Sequence, residues 1–297
     1  MSGAGGVPRA GLLQLAGSVV LLSSAWPVAK QAITLGAAPL WFATGRAGLS
    51  AAAAFALLGA IGRLRLPARA DFPALLAVGG LQLAAFFAFA HAAVALVPAG
   101  RTAILCNVTT IWIVPLSLLV LRESIPARRW LATALGLAGT LVLVSPWAID
   151  WSAPGVLLGH AFLLGAALAF ALAIIVVRRL PPRLTMLELL PWCFGLATLL
   201  LASLAGAHGG GIGAWPNKGV AALAYIGLFA GPIGTWCVMQ VSATLPAMVA
   251  SIGFLATPAA GLLLSTLWLH EALTPDLIIG SAFILGGVAF AAWPSRR

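Results

Sequence analysis

Gln82, Phe86 and Phe89 follow one another at i, i+4 and i+7 in one apolar stretch, so on a helix they share a face. His91, Asn107, Tyr225, Trp236 and Gln240 are further polar or amphipathic groups well inside apolar runs. In a lipid solvent such groups need a partner on another helix or a water-filled cavity. Aromatic faces beside amide donors suit a zwitterion with an apolar or aromatic side chain. The competing reading of each residue is an inter-helix hydrogen bond or plain packing.

Two cations, Lys30 and Arg46, fall toward neighbouring ends of the first two apolar runs. A cation near a bilayer centre costs roughly 2.5 kcal/mol or more, which long side chains reduce by snorkelling. Either residue can cap a neighbouring helix or capture a substrate carboxylate. Glu123 and Glu271 end apolar runs, where the helix dipole disfavours an anion. They are expected to accept hydrogen bonds from the first amides of the following helix, tying helices 4 and 5, or 9 and 10. Asp71, Asp150 and Asp276 lie at helix ends or in loops, and Glu188 near the start of the seventh run. Only His91 and His160 titrate deeper, so facilitated movement fits better than a proton relay.

No cluster of Asp, Glu or His stands ready for metal or acid–base chemistry, so neither an enzyme nor a metal or other cofactor is expected. No nucleotide-binding motif is present, which argues against ATP hydrolysis. Cys106, Cys193 and Cys237 are far apart inside apolar runs and read as packed small hydrophobes.

The elements that must position these groups are membrane helices. Hydrophobic residues make up 62% of the 297 and charged ones 7%, too few to clothe a soluble surface. The net charge of +10 sits in short clusters between apolar runs, which is how topology is written rather than how nucleic acid is bound. Spanning about 30 Å of hydrocarbon takes about 20 helical residues. Ten segments qualify: 10–32, 38–61, 70–95, 98–121, 127–146, 154–178, 184–206, 218–240, 245–269 and 275–294. The first, after Arg9, reads as an uncleaved helix rather than a signal peptide. With the N-terminus in the cytoplasm, Arg9, Arg63, Arg65, Arg69, Arg122, Arg128, Arg129, Arg178, Arg179, Arg183, Arg296 and Arg297 all face inside. Both termini are then cytoplasmic, and Lys30, Arg101 and Lys218 lie at or beyond the outer boundary.

A pattern recurs 148 positions apart. Pro98, Ala99, Leu121, Glu123 and Gly139 map without gaps onto Pro246, Ala247, Leu269, Glu271 and Gly287. The chain therefore divides into repeats of five helices, 1–150 and 151–297, within one integral membrane domain. Five is odd, so the second repeat enters from the opposite side and the repeats are inverted. The expected fold is an all-α membrane protein of ten helices in two inverted repeats, an architecture that gives alternating access to a midplane site. Pro115 and Pro258, in similar but not identical places of the two repeats, are expected to act as hinges.

These residues resemble the drug/metabolite transporter superfamily, in particular its ten-helix EamA branch. The resemblance rests on Trp26-Pro27-Val28-Ala29-Lys30, on Pro39 followed by Arg46, and on the duplicated glutamates with glycines in each fifth helix (Gly136 and Gly139; Gly280, Gly286 and Gly287). The second half lacks equivalents of Lys30 and Arg46. The family implies a central cavity lined by helices 1, 3, 4, 6, 8 and 9, with each fifth helix outside as support. Within it, the pattern is most similar to bacterial exporters of aromatic and other neutral amino acids. The implied protein is a multi-pass inner-membrane exporter of a small amphipathic metabolite, compatible with a monomer. A broad drug, nucleotide-sugar or lipid translocator on the same fold is the alternative.

Overall fold

A computed structural model describes residues 9–106, 108–122, 127–144, 154–244, 254 and 256–292. Asn107, Glu123, Pro246 and Ala247 lie outside the described residues. Each of the ten predicted segments holds helix among its described residues, and no strand forms among them. The helices are α1 (Arg9–Thr34), α2 (Pro39–Ala60), α3 (Arg69–Leu96), α5 (Ala127–Val144), α6 (Val156–Arg179), α7 (Met186–Ala207), α9 (Ala256–Leu269) and α10 (Pro275–Ala292). Helix α4 comes in two pieces, Ala99–Leu105 and Thr109–Leu116, the second running into a wide turn over Ser117–Leu121. Helix α8 runs from Asn217 through a wide turn at Tyr225–Ala230 to Thr244. Six helices (α1, α2, α3, α6, α7 and α8) are long and apolar enough by themselves to cross a membrane.

The packing obeys one exchange rule, in which every helix is replaced by the one five places on. Helices α2 and α7 pair with each other, as do α5 with α10 and α4 with α9. The pair α1–α8 has its counterpart in α6–α3, and α1–α9 in α6–α4. Each fifth helix stays at the side, and the α5–α10 seam is closed by glycine. A Cβ at Gly139 would stand 2.6 Å from the Gly280 carbonyl oxygen, so only glycine allows that approach.

The duplication extends to backbone strain. Arg122 and His270, 148 positions apart, are the described non-glycine residues with positive φ, at 53° and 54°. Each ends its helix in the left-handed conformation, which costs an L-residue roughly 1–2 kcal/mol. His270 thereby turns the chain so that Glu271 points back at another helix.

Both third helices carry wide turns at matching places, Leu76–Ala85 in α3 and Tyr225–Ala230 in α8. In α8 the reason is visible. The Gly231 amide bonds to the Ile226 carbonyl, five residues back, and Pro232 has no amide to offer Gly227. The orphaned Gly227 carbonyl accepts instead from the Ser50 hydroxyl of α2 at 2.9 Å, in a buried position. Such a donor is obligatory where no water reaches.

The two ends of the bundle are tied by different groups. At the arginine-rich end, Asp71 accepts from the Ala68, Arg183 and Leu184 amides and so joins the α2–α3 and α6–α7 connections. Glu188 closes a capping box with Thr185 and draws Arg63 and Arg65 to 3.5 and 3.8 Å. At the opposite end the Glu271 carboxylate accepts from the Ala99 and Gly100 amides at 2.7 and 2.8 Å. This corrects the expectation for that residue: Glu271 ties α9 to α4 of the other repeat, not to α10. Asp276 of α10 pairs with Arg101 of α4 at 2.9 Å. Ala99, Thr102, Ala103, Ile104 and Leu105 are fully buried there.

Candidate functional site

Helix α1 runs through the middle of the bundle, and its faces locate the inside. Trp26 packs on Phe86 of α3 with ring centroids 6.4 Å apart, and Phe86 meets Phe170 of α6 edge-on at 5.5 Å. These three rings come from three different helices, yet each keeps part of its surface exposed. Gln82 lies about one turn below Phe86 in the wide part of α3, half-buried and with no hydrogen-bond partner among the described residues. An aromatic wall with a free amide is therefore built around Phe86.

Arg46 of α2 stands on the flank of this wall. Its guanidinium carbon lies 4.2 Å over the Phe87 ring, and Phe87 in turn touches Phe86, with centroids 6.1 Å apart. The orientation is fixed by His91, which is 2% exposed. His91 Nδ1 is 2.8 Å from the Phe87 carbonyl oxygen, which can only accept, so Nδ1 carries the proton. Nε2 is then the acceptor for Arg46 Nη1 at 3.4 Å. Phe42 covers the other side of the imidazole, at 5.7 Å. Among the described residues no carboxylate lies within ion-pair distance of Arg46. The guanidinium has five N–H donors, and His91 and a ring face leave most of them for something else.

Lys30 has a different environment. Its Nζ donates to the carbonyl oxygens of Val94 and Val97 at 2.6 and 3.1 Å, at the carboxyl end of α3 where a cation is favoured. The Glu271 carboxylate adds attraction from nearby. Lys30 is thus engaged in holding α1, α3 and α9 together.

The other expected cavity residues are dispersed. Phe89 stacks on Phe162 of α6 at 5.9 Å and lines a groove of about 470 Å³ with Trp41 and His208, on the side of α3 away from Trp26. The shared face with Phe86 is split because three residues advance a helix by only 300°. His91 lies under Arg46 rather than in an open space. Tyr225 bonds to Ser24 at 2.7 Å, and Ser24 is on the face of α1 opposite Trp26. Trp236 is exposed, while its neighbours Gly234 and Cys237 face α1. Gln240 is half-buried in the last turns of α8. Pro115 lies inside the second piece of α4, just before its wide turn, and Pro258 is buried in the first turn of α9 as described. His160 donates to the Val156 carbonyl at 2.8 Å, and its Nε2 is buried with no partner among the described residues.

Phe87 and Phe170 were not singled out by sequence. Phe87 is one aromatic among several, and Phe170 sits in a uniformly apolar helix with no polar neighbour to mark its face. Gln82, with no hydrogen-bond partner among the described residues, and Arg46, with no carboxylate among them, are the groups whose type alone carries a signal.

Comparison with known proteins agrees with this architecture. None of the curated proteins matches the chain. A crystal structure of a protein is similar to it over 95% of this chain and 96% of the other, with 21% identity and a TM-score of 0.65, which speaks for the fold alone. The model of the EamA-like transporter family matches twice, over residues 9–145 and 157–293, once on each side of the α5–α6 connection. A multi-pass helical membrane protein whose two halves each fit that model is a transporter by family, and the chain belongs to the EamA-like transporter family.

Proposed function

We propose that the chain exports small amphipathic metabolites, amino acids including aromatic ones, across the bacterial inner membrane. The arginine-rich end is cytoplasmic, with both termini on that side. The repeats 1–150 and 151–297 exchange conformations so that the space between α1, α3, α4, α6, α8 and α9 opens to each side in turn. The observation that carries this reading is Arg46: an intramembrane guanidinium with no carboxylate beside it among the described residues, aimed by His91 and flanking an aromatic wall. An anion is the natural complement, and a substrate carboxylate supplies one.

In this scheme Arg46 binds the carboxylate, Gln82 hydrogen-bonds the polar head, and Trp26, Phe86 and Phe170 accept an apolar or aromatic side chain. His91 acts through Arg46 as a positioning residue. The α4 start closes the outer end through Glu271, Lys30 and Arg101. Pro115 and Pro258 give α4 and α9 the bends that opening needs, and movement is down the substrate gradient. The test is uptake of a labelled amino-acid panel by proteoliposomes holding the purified protein, with and without a pH gradient. Saturable uptake of tryptophan or phenylalanine without a gradient is expected. A strict gradient requirement overturns the facilitative reading, and no amino-acid uptake by folded protein moves the drug or lipid translocator to the front.

A further inference from the structure

A groove of about 430 Å³ runs along α1 between α8 and α9, on the side away from the aromatic wall. Its floor on α1 is Ser24, Val28 and Gln31, which lie opposite Trp26 on a helix of 3.6 residues per turn. It therefore turns away from the space around Phe86, and the exposed Trp268 and Lys218 mark its open side. Its polar lining is unusual for a lipid-facing surface. The Lys218 ammonium, the Gln31 amide and the Trp268 indole N–H have no hydrogen-bond or ion-pair partner among the described residues.

Their heights are matched. Tyr225 meets Ser24 across the groove, and Lys218 and Gln31 are each seven residues from that contact, about 10 Å up along antiparallel helices. The cation and the amide thus share one level toward the end of the bundle opposite the arginine-rich one. Val28 and Ala222 form the apolar depth below them, and Trp268 the flank, as suits a ring at a membrane interface.

We propose that this groove binds one anionic phospholipid. Lys218 takes the phosphate as a point charge, Gln31 donates to the headgroup or ester oxygens, and the first part of an acyl chain lies on Val28 and Ala222 beside Trp268. A lipid is chosen because, in a chain that spans the membrane, the groove opens to the bilayer, and Lys218, the one cation among its described lining residues, stands at headgroup height. The same cation excludes a net-neutral headgroup from equal standing.

The experiment is native mass spectrometry of the purified full chain titrated with dioleoylphosphatidylglycerol or dioleoylphosphatidylcholine. The wild type is expected to retain one phosphatidylglycerol in preference to phosphatidylcholine. Lys218→Gln, at an exposed position where folding is not at stake, is expected to lower that retention about fivefold. Trp268→Leu lowers retention of both lipids, and Arg122→Gln at the far end changes neither. Equal retention of the two lipids by the wild type, or an unchanged preference in Lys218→Gln, overturns the site. Displacement of the bound phosphatidylglycerol by millimolar inorganic phosphate also overturns it, since the ligand is then a soluble anion.

Discussion

Two regions along the second half of α3 use a cation in opposite ways. At the remote end Lys30 sits among acceptors: two carbonyl oxygens take its protons, and Glu271 is near while capping α4. Deeper in, Arg46 has a ring face and one imidazole nitrogen, and no carboxylate among the described residues. The first region is electrostatically complete and tightly packed. The second is held in place but unfinished. The difference teaches that a cation in a membrane signals recognition only when the protein orients it without neutralising it.

The comparison breaks first if the two cations prove equivalent. Arg46→Gln should raise KM for tryptophan uptake on the order of thirtyfold, the worth of a charged hydrogen bond, while Lys30→Gln stays within about threefold. Arg46→Lys should recover part of the loss. Equal effects from Arg46→Gln and Lys30→Gln would assign both cations to structure.

Next in size is the gate itself. Glu271→Gln removes the charge from two short bonds to the α4 amides and should cost about 2 kcal/mol of stability. Cys106, 2% exposed on the gate helix, should then react faster with a membrane-impermeant maleimide. Unchanged protection of Cys106 in that variant would mean that packing alone shuts this end.

Ser50→Ala sharpens the contrast from the scaffold side. It leaves the buried Gly227 carbonyl without a donor and should cost about 1–2 kcal/mol, read as a lower Tm and faster amide exchange over α8. The smallest effect is expected at Tyr225→Phe, with stability lower by about 1 kcal/mol or less and uptake KM within about twofold, because its hydroxyl serves Ser24 outside the aromatic wall. A large change in KM there would return Tyr225 to the substrate path.

Legibility differed by kind of residue. The ten segments were readable because a bilayer demands runs of fixed length, and the repeat because its glutamates and glycines kept their spacing. Type and position mark Glu271 as a helix-terminal hydrogen-bond acceptor but do not identify its partner helix: the left-handed turn at His270 sends it across to α4. Helical spacing puts Phe89 on the face of Gln82 and Phe86, and an amphipathic ring well inside a span marks Tyr225. A rotation of 60° about α3, or the far side of α1, places them elsewhere. Ser50 was not foreseen, since its role exists only because Pro232 leaves a carbonyl free on a different helix.

By itself, then, the sequence determined the solvent, the number and order of the spans, the duplication and the presence of two costly cations. Those follow from hydropathy, length and charge, which act locally along the chain. Only the tertiary structure decided which face of each helix looks inward, that Lys30 is met by carbonyl oxygens while Arg46 has no carboxylate among the described residues, and that Glu271 joins the two repeats. Helix rotation is set by packing against neighbours distant in sequence, and a polar group's role is set by the partner which that rotation delivers.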